Sequence, residues 1–165
     1  MKDSEKTNES LPFSEIGPYA DNFTTETVIN RMIEGLGFRY YWATDGLRDI
    51  DLSYKPSDDS RSSLDVLQHI YGLTEMVIFA FQDKEYPTET KYEMSFTEYR
   101  TETLLNLKKM SDMLMKEVKI SEVSVKINFG GQSMSFPFWN AINGPLSDAI
   151  WHTGQIASNR RASGN

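Results

Sequence analysis

Ser62-Ser63-Leu64-Asp65-Val66-Leu67-Gln68-His69-Ile70-Tyr71-Gly72-Leu73-Thr74-Glu75-Met76-Val77-Ile78-Phe79-Ala80-Phe81 is the stretch whose reading decides the fold class. Leu64, Leu67, Tyr71, Thr74, Ile78 and Phe81 recur at spacings of three and four, the period of one helix face. Val66, Ile70, Leu73, Val77 and Ala80 form a second stripe beside the first. A helix apolar over two adjoining stripes has to be covered by other elements, which points to a helical core. Ser62 or Ser63 supplies the N-cap, and Asp65 in the first turn complements the positive end of the helix dipole.

Downstream, a loop around Pro87 leads to Ser95-Phe96-Thr97-Glu98, a capping box that opens a third helix. Its apolar positions Phe96, Tyr99, Leu107, Met110 and Leu114 carry it to about Lys119. The period then becomes two. Val123, Val125, Ile127 and Phe129 alternate with polar residues, Gly130-Gly131 permits a primed turn, and Met134 and Phe136 alternate back. A two-residue turn sets Ile127 opposite Met134 and Val125 opposite Phe136, giving a two-stranded hairpin with one apolar face. Pro137 suits the first turn of a last helix that reaches about Ala162, kinks at Gly144-Pro145 and ends at Gly164.

Upstream, a helix begins after Thr24 and Thr25 and shows Ile29, Met32, Ile33, Leu36 and Tyr40 at helical spacing as far as Thr44. Asp45 to Arg61, with Pro56, is longer than a tight helical hairpin needs and suits a crossing over one bundle end. Residues 1–20 read as a polar arm interrupted by Pro12 and Pro18, and residues 21–165 as a single domain. The expected fold is all-α: a four-helix bundle with a small β-hairpin inserted before the last helix.

Composition narrows the function classes. The 165-residue chain has 24 acidic against 17 basic side chains and a formal charge of −7, which argues against a nucleic-acid partner. The longest wholly apolar run, Met76 to Phe81, is far short of the ~20 residues of a membrane helix, so no membrane role is expected. With no cysteine, disulfides, thiolate nucleophiles and cysteine-ligated metal centres are excluded. The polar start Met1–Ser10 does not resemble a signal peptide, and the expected location is the cytoplasm.

Two histidines remain for chemistry. His152 stands four residues after Asp148, so both project from one face of the last helix. Ala141, Pro145, Ile156 and Asn159 share that face, which is mostly apolar and turned inward. A carboxylate and an imidazole are costly there unless paired or bound to a cation. His69 lies at the edge of the apolar arc of the second helix and faces the same interior. His69, Asp148 and His152 thus form a candidate three-ligand site for a divalent metal, with positions left for water or a small-molecule substrate. The alternative is a polar core cluster, a salt bridge plus a hydrogen-bonded histidine. Asp65 is four residues before His69, which makes it either a supporting partner of that ring or a simple first-turn acid. Arg160 and Arg161 compensate the negative end of the last helix, and Phe38, Tyr40, Tyr41 and Trp42 read as core and bundle end.

Leu67-Gln68-His69 on a helix, with Asp148-Ala149-Ile150-Trp151-His152-Thr153-Gly154-Gln155-Ile156 near the C-terminus, resembles the DinB-like superfamily of bacterial metal-binding four-helix bundles. The resemblance spans residues 24 to 162, and Phe138–Pro145 and Asn159–Asn165 are similar to a Bacteroidetes-type subgroup. It implies an up-down-down-up order of helices, His69 as first metal ligand, His152 as last and Gly154-Gln155 as the dipeptide that follows. Asp148 stands where the family usually has a histidine, which leaves zinc or nickel, with iron and manganese as further options. The implied activity is that of a metal-dependent thiol transferase, hydrolase or isomerase. The rival expectation is a bundle whose cavity binds a small apolar ligand without turnover, the polar trio being structural, and a homodimer is compatible with either.

Overall fold

Side-chain caps set the start of three long helices. In the computed structural model, which describes residues 10–165, α1 (Thr25–Thr44) opens with Thr24 and Thr27 bonded to each other's backbone N–H at 3.2 and 2.9 Å. A short α2 (Asp49–Ser53) follows. α3 (Ser63–Phe81) opens on Ser62, whose hydroxyl accepts from the Asp65 amide at 3.1 Å while the Asp65 carboxylate accepts from the Ser62 amide at 3.0 Å. α4 (Phe96–Lys116) repeats the arrangement with Ser95 and Glu98 at 3.3 and 2.7 Å. The last helical region is composite: a single turn α5 (Trp139–Ala141), a π-helical turn over Ile142–Leu146, and α6 (Ser147–Ala162).

α1 packs on α4 and α6, and α3 packs on the same two, so the consecutive helices α1 and α3 lie diagonally across one core. The long connection between them crosses an end, as its length suggested. The core holds Ile33, Tyr40, Leu67, Ile70, Leu104, Leu107, Met110 and Ile156, each almost fully buried. Burying each such side chain contributes about 1.5–3 kcal/mol relative to exposure. Both apolar stripes of α3 are covered apart from Leu64, which is exposed, and Tyr71, which is half-buried. Among the described residues, α3 alone has the length and mean hydropathy, 1.2, of a membrane span, and half of that window is buried inside the fold.

Several expectations need correction. The 45–61 connection is not structureless: α2 is pinned by Asp51, which is fully buried and accepts from Arg48, Ser163 and Asn165. α4 ends at Lys116, three residues early, and a 3-10 turn over Ile120–Glu122 follows. The hairpin is part of a three-stranded sheet in the order β1 (Glu85–Pro87), β2 (Ser124–Phe129), β3 (Gln132–Pro137). β1 runs parallel to β2 with Tyr86 opposite Ile127. The β2–β3 register is the expected one, Val125 opposite Phe136 and Ile127 opposite Met134. Gly130 and Gly131 turn the chain at φ +57° and +80°, values that suit a primed turn. The hairpin's apolar face is less buried than its pattern implies, because Met134 remains exposed while Val125 is buried. Pro137 closes β3 rather than opening a helix, since its ring needs no hydrogen-bond partner at the end of an outer strand.

The kink at Gly144-Pro145 is present. Gly144 leaves helical geometry at φ −105° and ψ −111°, and the Ser147 hydroxyl donates to the Ile142 carbonyl at 2.6 Å. The helix therefore re-aims immediately before Asp148. The first nine residues of the expected arm lie outside the described residues. Residues beyond them follow α1: Trp42 Nε1 donates to the Ser14 carbonyl at 3.1 Å, and Arg31 donates to the Gly17 and Pro18 carbonyls. Phe13 seats its ring on Gly37, where an added Cβ would come within 2.5 Å of it.

Candidate functional site

α3 and α6 pack together and bring His69, Asp148 and His152 to one place. One ligand atom from each lies within 4.8 Å of the other two, and among the described residues no other group of three acids or histidines does this. His69 Nε2 is 3.3 Å from Asp148 Oδ2, and His152 Nε2 is 3.7 Å from Asp148 Oδ1. The two imidazoles meet edge to face, with ring centres 4.7 Å apart. Ala141, Pro145, Ile156 and Asn159, the neighbours of His152 on its helical face, are all buried. The inward direction of that face therefore holds.

These separations bear on the chemistry. A hydrogen bond to nitrogen usually spans about 2.7–3.2 Å, so 3.3 Å is long and 3.7 Å is outside the range. Two ligand atoms held by one tetrahedral ion at about 2.0–2.1 Å stand roughly 3.3 Å apart. The 3.3 Å contact is compatible with a tetrahedral edge and with a long hydrogen bond, and because the two contacts run to different carboxylate oxygens the three groups are gathered near, rather than at, the separations of a bound ion. Its side chains are 33%, 47% and 14% exposed for His69, Asp148 and His152, so the site opens outward on the Asp148 side.

Gln155, one turn beyond His152, adjusts the ring. His152 Nδ1 lies 2.7 Å from Gln155 Oε1, and a carboxamide oxygen can only accept, so the proton sits on Nδ1. In the neutral ring Nε2, the nitrogen facing Asp148, then carries a lone pair, the form a metal needs. His69 is prepared differently. Partial burial pushes its imidazole below the ordinary histidine value, the Asp148 contact opposes this, and the positive charge of Arg61 adds to the lowering. Asp65 is a cap and not a partner of His69, because its carboxylate is turned back onto the Ser62 amide and hydroxyl.

Two cavities adjoin the trio. One of 410 Å³ lies between α3 and the segment around β1, with His69, Gln68, Tyr86 and Tyr92 in its wall. The other, of 280 Å³, has His152, Gln155 and Asn159 in its wall. Arg61 lines both. Larger grooves of 620 and 790 Å³ run along α6 and contain none of the three groups. Phe38 and Trp42 line the first of these, whereas Tyr40 is core. Arg160 and Arg161 lie in the last turn of α6 as expected, and Arg160 also donates to the Trp42 carbonyl in the last turn of α1.

Reading the sequence singled out the trio but not Arg61. A signal was there: Arg61 stands just before the cap of α3, where the helix dipole disfavours a cation. The Tyr86–Tyr92 pair, hydroxyls 3.3 Å apart, had no signal, because it depends on where β1 docks. In comparisons with family models, curated proteins and solved structures, this chain matches none of them.

Proposed function

We propose that this protein is a divalent-metal-dependent enzyme of the DinB-like superfamily, a cytoplasmic four-helix bundle of up-down-down-up order acting as a thiol transferase or hydrolase. The observation that carries the reading is the convergence of one ligand atom each from His69, Asp148 and His152, all within 4.8 Å of one another. The donor set of two imidazoles and one carboxylate fits zinc or nickel best, and accommodates iron or manganese. When bound, such an ion supplies Lewis acidity, bringing the pKa of a coordinated water or thiol toward about 7.

The chain's own residues do the rest. Gln155 holds the His152 proton on Nδ1, and Asp148, the only anionic member of the trio, faces both rings, with Oδ2 toward His69 and Oδ1 toward His152. The exposed flank at Asp148 leaves room for water or substrate. A small-molecule substrate enters through the cavities on either side of Arg61. Elemental analysis of the purified full chain tests the reading: about one transition ion per chain is expected, lost in His152→Ala and retained in Asp65→Ala. Absence of metal at neutral pH without chelators, or equal effects of the two substitutions, refutes it.

One observation favours a second reading, a bundle that binds a small ligand without turnover. His69 and Asp148 already touch at 3.3 Å, so the polar cluster can satisfy itself in part. A metal-free protein that binds a small molecule and turns over neither thiol-conjugation nor ester or amide substrates would favour it.

A further inference from the structure

Arg61 is the cation of this site, and the one acid it is seen to act on is Asp65, whose carboxyl is held below the ordinary value mainly by the Ser62 hydrogen bonds and in lesser part by the Arg61 charge. It immediately precedes the capping Ser62, at the end of α3 where the dipole disfavours positive charge. Among the described residues it makes no ion pair. The nearest acid in sequence on the helix, Asp65, is occupied by the Ser62 amide at 3.0 Å and the Ser62 hydroxyl at 2.6 Å. Yet Arg61 lines both cavities that flank His69 and His152.

The wall of the 410 Å³ cavity is mixed, with Leu73 and Met76 giving it apolar surface beside its polar groups. Gln68 and Thr88 accompany His69 and Arg61 in it, and the Tyr86 and Tyr92 hydroxyls stand 3.3 Å apart at its margin. Burial raises both phenols above their ordinary values, so at neutral pH they are hydrogen-bonding groups and not anions. The volume is within the range of sites for small organic molecules, about 300–1,000 Å³. A single guanidinium matches a carboxylate through two parallel hydrogen bonds. A dianion such as a phosphate ester would be less well served, because Asp65 lines the same cavity and the wall offers no second cation.

We infer that the substrate of this site is a small organic carboxylate, whose carboxylate group is bound by Arg61 while its reacting group reaches the His69–Asp148–His152 centre. This rests on the metal reading above and adds the substrate class to it. Arg61 is a binding residue here. The partial charges on the tyrosine and glutamine groups orient the rest of a polar molecule along the cavity wall. An apolar ligand would leave the Arg61 charge without a partner in the cavity, which costs affinity.

The test uses the full-length chain loaded with cobalt(II) and two probes, 3-mercaptopropionate and its methyl ester. The thiol group is common to both, and its ligation to cobalt gives an absorption band that reads binding. Metal uptake is read first, from the cobalt spectrum of wild type, Arg61→Ala and Arg61→Lys. Equal uptake in all three is expected, because Arg61 is not a ligand and is exposed. Wild type should then prefer the acid to the ester, and Arg61→Ala should lose about tenfold to a hundredfold of that preference. Arg61→Lys should restore part of it, since the charge remains without the fork. If uptake is normal but the preference is the same in wild type and Arg61→Ala, the carboxylate inference falls and the metal reading stands. If wild type takes up no cobalt, both fall.

Discussion

Replacing Gln155 by leucine removes the acceptor for the His152 Nδ1 proton and leaves the core untouched, because Gln155 is exposed. The lost hydrogen bond, 2.7 Å long in the structure, is worth about 0.5–1.5 kcal/mol, or roughly two- to thirteenfold in metal affinity. The ring also becomes free to turn and to move its proton onto Nε2, the nitrogen that faces Asp148. Loss of such an orienting partner usually costs about ten- to a hundredfold in metal affinity, and that is the expected outcome here. Zinc affinity is measured by competition with a chromophoric chelator at pH 7.5, in wild type, Gln155→Leu and Gln155→Glu. The glutamate variant keeps an acceptor and should bind at least as tightly as wild type. Asp65→Ala serves as the contrast: it loses the carboxylate half of the capping box, which lowers stability, with metal affinity unchanged and the Ser62 cap bond kept. If Gln155→Leu binds zinc within twofold of wild type, the orientation argument for His152 is wrong.

Metal occupancy should depend on pH with a definite sign. His69 is held below its ordinary value mainly by burial, so its neutral, ligating form is favoured in the fold. The stability this contributes is complete above the unfolded histidine value of about 6.5 and is lost as pH falls from there through the folded value. Retention of metal after equilibration at graded pH should show release only on the acid side of that point. Asp51→Asn should lower the thermal midpoint, because Arg48, Ser163 and Asn165 all donate to that buried carboxylate. The Arg48 hydrogen bond is the main cause that holds Asp51 well below the usual carboxylate range. Its contribution is present above about pH 3.9 and lost below it, so wild type and variant should converge in acid when thermal melts are compared across pH. Gly37→Ala should displace Phe13 from α1, since the new methyl would meet ring atoms at 2.5 to 2.9 Å. Overpacking of about 1–3 kcal/mol outweighs the helix propensity gained, about 1 kcal/mol, and limited proteolysis should cut residues 10–24 faster.

The sequence by itself determined the elements whose cause is local. Ser62 with Asp65 and Ser95 with Glu98 close their capping boxes within four residues, so the start of α4 was readable to the residue and that of α3 to within one. Gly130-Gly131 set the β2–β3 register because positive φ at both positions allows only a few turns. Asp148 and His152 share a face by helical spacing alone. Only the tertiary structure decided what depends on distant partners. β1 is three residues long, too short for any period, and exists because Glu85–Pro87 pairs with β2 some forty positions later. α2 is held by Asp51, whose partners Ser163 and Asn165 come from the other end of the described chain. His69 meets Asp148 across 79 positions, and the kink at Gly144 aims α6 just before Asp148. Arg61 illustrates the boundary: its awkward place at a helix start is written in the sequence, but the cavities it lines are formed only when β1 and α6 dock beside α3. Caps and turns are settled by neighbours within one turn, whereas these contacts are paid for in loop-closure entropy that the rest of the core must offset.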